Sequence, residues 1–364
     1  MTILLIGLAL IFGCSEDEEQ RLYRLAPDLG RDVAQRLVAH DDAAFADYSR
    51  EAGIKEMIDA RLALRRGLSF GAAASYTESA AYLMPYIGRV SERLSADYGC
   101  HDYLHDYDFW MSLPHDQAAE LGCLESEMND TYLDPDLLLV EKIPRLQRYA
   151  SAFRTAGYWM GVAVAEYATA EFMSSLGRDE ERMQHLRAAL ALARREGLTI
   201  MTCQILGVVG KIHRSAGRID SMAICWNEAL GIASEHRLPE HAANINSLYA
   251  NHYADAGRLA LAADLHHAAM QVCREYKGGY LELPFIIEAM YFHAELGFWE
   301  VVRHLLQRAR VLNREYARSP RILQRKVNAV RLDEMEARYL CAQGKTQEAE
   351  EIFCRLEEEI RGLP

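Results

Sequence analysis

One spacing constrains this chain more than any composition figure. Four 25-residue windows, SSLGRDEERMQHLRAALALARREGL from Ser174, RSAGRIDSMAICWNEALGIASEHRL from Arg214, ADAGRLALAADLHHAAMQVCREYKG from Ala254 and AELGFWEVVRHLLQRARVLNREYAR from Ala294, start 40 residues apart. Gly177, Gly217, Gly257 and Gly297 share one register, Arg178, Arg218 and Arg258 follow three of them, and Ala189, Ala229, Ala269 and Ala309 stand twelve residues after each glycine. A fixed period of this length marks a repeat architecture, in which each unit covers its apolar face only by stacking on its neighbours. A fifth unit, CAQGKTQEAEEIFCRLEEEI, places Gly344 47 residues after Gly297, the extra seven being assigned to a longer turn around Ser319 and Pro320.

Each unit reads as two helices joined at the glycine. Seven residues before it stand Ala170, Gly210, Ala250, Met290 and Ala337, and four before it Met173, His213, Tyr253, His293 and Leu340, a spacing that puts small and large residues on one helical face. After the glycine, Leu186 and Ala189, Trp226 and Ala229, Ala262, and Ala349 and Phe353 form the packing face of the second helix. Small residues let the two helices approach closely and large ones fill the space beside them. Glycine suits the turn because a helix commonly ends in a left-handed residue, where a Cβ costs about 1 kcal/mol.

This pattern resembles the tetratricopeptide repeat, in its longer, 40-residue helical form, over residues 158–361. The resemblance implies an all-α, right-handed α-solenoid of antiparallel helix pairs. Arg182 and Met222 replace the usual alanine five residues after the glycine, His266 stands where an aromatic residue is usual, and Leu356 replaces the last alanine of the fifth unit. Residues 14–157 are less regular. Apolar helical spacing runs from Gln20 to His40, Ile54 to Arg66, Ala72 to Leu94 and Leu137 to Phe153, which predicts degenerate repeats or a cap over the end of the array. No Pro-, Gly- or Ser-rich linker separates the two parts, which predicts one continuous superhelix.

The first 13 residues predict a removable leader. Ile3 to Gly13 is apolar but shorter than the roughly 20 residues a membrane-spanning helix needs. Ile11-Phe12-Gly13-Cys14 resembles the cleavage site of bacterial lipoproteins and implies lipidation at Cys14, with contact to the membrane through that anchor only. No Lys or Arg precedes the apolar run, and seven further cysteines, an odd number with no C-x-x-C, fit small apolar residues on helices in a reducing compartment or a weakly oxidising periplasm. A cytoplasmic protein whose first helix starts with this apolar segment is therefore the alternative.

Forty basic against 53 acidic residues give a net charge of −13, which repels phosphate backbones and argues against nucleic acid as a partner. The signatures G-x-x-x-x-G-K-[ST], G-x-G-x-x-G after a strand and G-x-S-x-G do not occur, so no catalytic centre and no cofactor is expected. CHDYLHDYDFWMSLPHD, from Cys100 to Asp116, reads as a polar, aromatic loop between helices. His101 and His105 are weak metal candidates, because on a helix their four-residue spacing would put both imidazoles on one face. His266, His267 and Cys273 read as core or surface residues.

In repeats of this kind the first helix of each pair lines the concave groove. Counting 13, 10, 6 and 3 residues back from the glycines selects Gln204, Lys211 and Arg214, then Asn244, Ser247 and Asn251, then Ile287 and Tyr291, and finally Arg331, Glu334 and Arg338; the first unit adds Val164, Tyr167, Glu171 and Ser174. Lys211, Arg214, Asn244 and Asn251 would make a basic, amide-lined patch for an acidic peptide or a free carboxylate. The expectation is a non-catalytic adaptor that binds protein or peptide in its groove at the bacterial cell envelope. The alternatives are a cytoplasmic regulator or sensor, and a repeat scaffold for a separate enzyme such as a caspase-like peptidase.

Overall fold

The structure, a computed structural model, describes residues 18–52, 54–68, 73–134, 136–275, 279–315 and 322–361. The leader, Cys14 and the turn around Ser319 and Pro320 lie outside the described residues. Eighteen α-helices and no strand occur among the described residues, and none of those helices is long and apolar enough to cross a membrane. The chain is an all-α helical repeat solenoid that divides into two compact units, Met1–Val162 and Ala163–Pro364, the boundary falling inside the helix Trp159–Ser175.

In the C-terminal unit the period is explicit. First helices start at Thr199, Pro239 and Gly279, second helices at Asp179, Ile219, Leu259 and Trp299, and each of these is 17 residues long. The helix Asp179–Arg195 shows why such a segment is helical. Acids in its first turn and arginines in its last complement the helix dipole, while Met183, Leu186, Ala189, Leu192 and Ala193 form one buried stripe. Pro239 opens its helix at a position whose N–H has no intrahelical partner in any case.

Each turn closes in the same way. Gly177, Gly217, Gly257, Gly297 and Gly344 have φ between 69° and 78°, and the N–H two helical positions beyond the end reaches back, as in Arg218 to His213 O at 2.8 Å and Arg258 to Tyr253 O at 2.8 Å. The turns between pairs use the same device: Gly157 and Gly197 have φ of 73° and 67°, and Arg237 takes φ 51° where a glycine would be expected. The true half-period is thus one helix, not one pair.

Ala189, Ala229, Ala269 and Ala309 are wholly buried, as are Ala250, Met290 and Ala337 on the first helices. Trp226 fills the space these small residues leave, with Leu206, Met222, Ala229 and Ile245 around it. His266 is wholly buried between Phe292 and Phe285, at ring-centroid distances of 5.3 and 6.4 Å, so it serves as a core aromatic. Phe353, placed on the packing face by its spacing, is 37% exposed, because no described helix follows Thr346–Arg361 to cover it. First helices of successive pairs also touch each other, Thr199–Ser215 with Pro239–Asp255 and Gly279–Glu295 with Ile322–Ala342.

The N-terminal unit is organised around the helix Ala73–Tyr98, which packs against Asp42–Ala52, Ile54–Arg66, His101–Ser112 and His115–Leu133. The segment expected to be a polar loop is the helix His101–Ser112. Its buried face carries Asp102, Asp106 and Trp110, so the apolar period is interrupted by acids that are satisfied inside the fold. Asp106 pairs with Arg61 and accepts from Trp110 Nε1 at 3.1 Å; Tyr158 Oη lies 3.0 Å from Asp106 and 2.9 Å from Glu125, which in turn holds Arg65 at 2.7 Å. Burial alone would raise the Asp106 pKa, but Arg65 and Arg61 hold it below the ordinary carboxylate range.

Candidate functional site

The residues selected for the groove fall into two groups on the first helices of the C-terminal unit. Tyr291, Arg331 and Arg338 belong to a self-satisfied network. Arg331 donates to Glu288 at 2.6 Å, Tyr291 Oη donates to Glu334 at 2.8 Å, Arg338 pairs with Glu334 at 2.9 Å, and both guanidinium groups lie 5.3 Å from the Tyr291 ring centroid. Burial and the Glu334 hydrogen bond raise the Tyr291 pKa. Arg214 is likewise engaged, with Asp255 across the seam to the next first helix.

Gln204, Lys211, Asn244, Ser247 and Asn251 form the second group. None of the five has a hydrogen bond or ion pair among the described residues; Gln204, Lys211 and Asn244 are exposed, and Ser247 and Asn251 half-buried. They lie on Thr199–Ser215 and Pro239–Asp255, two first helices in contact with each other. Ile287 must be removed from the groove, since it is wholly buried in the core. The reason is visible at Gly207, ten residues before its glycine like Ile287: a Cβ there would meet Ile245 Cδ1 at 3.2 Å, so this register lies at the seam to the neighbouring first helix, where Ile287 is covered and Ser247 stays half-buried.

Lys211 also lines a cleft of about 790 Å³ that the spacing did not reveal. Its walls are the start of Asp179–Arg195, contributing Asp179, Glu180, Arg182, Met183, Gln184 and Arg187, the end of Thr199–Ser215, and the turn carrying Ala216 and Arg218. Arg214, Asn244 and Asn251 are not part of it. Four cations thus meet two carboxylates. Arg218 Nε donates to His213 Nδ1 at 3.0 Å, and burial together with the charges of Arg218 and Arg187 keeps His213 below the ordinary histidine range. The signals in the sequence are the Gly-Arg dipeptide at 217–218 and Arg182 in place of the usual alanine.

His101 Nδ1 lies 2.7 Å from Ser95 Oγ and His105 is exposed. Among the described residues, no three His, Cys, Asp or Glu side chains converge as metal ligands would. His267 and His293 approach each other, Nε2 to Nε2 at 2.9 Å, so one of the two nitrogens carries the shared hydrogen. Of the cysteines, Cys100, Cys203 and Cys273 are buried, with the Cys100 and Cys273 thiols pushed up to about 12 by burial, whereas Cys341 and Cys354 are exposed and so are not the small core residues expected.

No protein-family model matches the chain, and no curated protein matches it. Among solved structures it is similar to BtubC (BKLC) from P. vanneervenii, with 16% identity over 63% of this chain and 94% of that one and a TM-score of 0.53. Lower TM-scores accompany the apo form of RapI, at 0.43 with 13% identity over 94% of this chain and 97% of that one. Aspartyl phosphate phosphatase F from Bacillus subtilis gives 0.47, with 13% identity over 96% and 95%. At these identities the likeness concerns the fold alone.

Proposed function

We propose that this protein is a non-catalytic adaptor or regulator of the tetratricopeptide type, and that it holds a protein or peptide partner along its first helices. The observation that carries this reading is the row Gln204, Asn244, Ser247, Asn251 and Lys211. In a unit whose arginines are nearly all satisfied internally, five polar side chains on adjoining helices keep their hydrogen-bonding capacity for something else. Ile245 packs against Gly207 across the seam between the two helices, which are in contact, so little ordering entropy is lost on binding. Three amides and an ammonium offer donors suited to an acidic segment or a terminal carboxylate.

The reading is tested by Asn244→Asp combined with Asn251→Asp, which puts two negative charges into the row without changing side-chain volume. Recovery of the partner should fall about tenfold or more while helicity stays constant. Unchanged recovery would place the binding surface elsewhere.

For location, Ile11-Phe12-Gly13-Cys14 supports a lipid anchor at the cell envelope. Labelled fatty acid should enter the natural chain and not Cys14→Ser. An unlabelled natural chain retaining Met1 favours the cytoplasmic regulator instead.

A further inference from the structure

We propose that the cleft between the helix Asp179–Arg195 and the turn at 216–218 is a separate anion site that takes a phosphate monoester. In a chain with 53 acidic and 40 basic residues, cations have ample carboxylates to pair with, and in this unit most arginines do. Arg178 meets Glu181, Arg194 meets Glu228, Arg303 meets Glu300 and Arg331 meets Glu288.

The cleft is where that pairing stops. Arg187 and Lys211 have no partner among the described residues, and Arg218 makes its hydrogen bond to an imidazole rather than an acid. Arg182 reaches Asp179 only at 4.0 Å, and its Nε is buried with no acceptor. A buried donor left without an acceptor is unfavourable, and a bound anion oxygen would satisfy it.

Charge and shape select among anions. Two cations in excess match a dianion better than a single carboxylate, and the planar forks of three guanidinium groups suit the several acceptor oxygens of a phosphoryl group. The volume of about 790 Å³ leaves room for an organic carrier beyond the phosphoryl group, and Met183 and Ile212 give that carrier an apolar wall. The site is distinct from the groove row: of the two, only Lys211 belongs to both.

Calorimetric titration of the full chain at low salt, with inorganic phosphate, phenyl phosphate and benzoate as probes, tests this. The expected result is saturable one-site binding of phenyl phosphate, weakened by salt, at least about tenfold tighter than benzoate and tightening above pH 6 as the second phosphate proton leaves. Phenyl phosphate should bind more tightly than inorganic phosphate, as a carried phosphoryl group would; inorganic phosphate binding as tightly would overturn the monoester assignment. Arg187→Glu, an exposed position where folding is undisturbed, should abolish the heat and leave partner recovery through Asn244 and Asn251 intact. Absence of saturable binding by either phosphate, equal binding of benzoate, or binding unchanged in Arg187→Glu would overturn the proposal, and the groove reading would stand or fall separately.

Discussion

Gly210 packs so closely against Trp226 that a Cβ built on it would overlap the indole ring. Trp226 is wholly buried and donates its Nε1–H to Gly207 O at 3.1 Å, so it cannot retreat without losing a hydrogen bond. The missing side chain at Gly210 is therefore part of the seat of the largest residue in this part of the core. Gly210→Ala should destabilise the fold by about 1–3 kcal/mol through overpacking. The control is Gly231, also inside a helix but with open space around it, where alanine should stabilise by up to about 1 kcal/mol. Urea unfolding of the two variants should move in opposite directions; a stable Gly210→Ala would contradict the packing described.

Among the described residues of the C-terminal unit, Arg237 is the one non-glycine in the row of left-handed turn residues that otherwise holds Gly177, Gly197, Gly217, Gly257, Gly297 and Gly344. An L-residue with φ near 51° pays for its Cβ, and glycine does not. Arg237→Gly should raise the thermal midpoint, with a gain of up to about 1 kcal/mol offset in part by the freer unfolded chain. A lowered midpoint would mean that the arginine side chain does something the turn geometry does not show.

His266 makes stability fall in acid. Burial lowers its pKa to about 4, and neither ring nitrogen has a partner, so the folded state holds it neutral while the unfolded chain protonates it near its ordinary value of 6.5. Stability is therefore unaffected by this group above about pH 6.5 and is lost as pH falls from there towards 4, by up to about 3 kcal/mol at 1.4 kcal/mol per pH unit. His241, His267 and His293 are lowered in the same direction and add to the slope. His266→Phe should flatten the pH dependence of the urea midpoint between pH 6.5 and 4 and raise stability at neutral pH, because it removes two unsatisfied nitrogens. An unchanged slope would show that His266 is hydrated in the folded protein.

The glycine register and the buried alanine column could be read directly from the sequence, because both are set by contacts that recur identically at each unit. The half-period is hidden in the sequence because Arg237 interrupts the glycine row and the turns at Gly157 and Gly197 precede first helices rather than second ones. His101–Ser112 reads as a loop in the sequence because its buried face is polar: Asp106 sits where an apolar residue would reveal the period, and its compensation by Arg61 and Tyr158 comes from residues far away in sequence. Ile287 lies in the core and not in the groove for a related reason, since counting from the glycine gives the face of a helix but not which neighbour covers it. The cleft is not legible as a site in the sequence, because Arg182, Arg187, Lys211 and Arg218 come from two helices and a turn and nothing in their spacing shows that they converge.

The central claim is that a partner lies along the first helices. The most direct measurement is photo-crosslinking in cells from p-benzoylphenylalanine placed singly at Asn244, Ser247 and Asn251, with Ile224, 68% exposed on a second helix, as the comparison position. The three first-helix positions should capture one common protein, and position 224 should not. Capture from 224 with none from 244, 247 or 251 would contradict it.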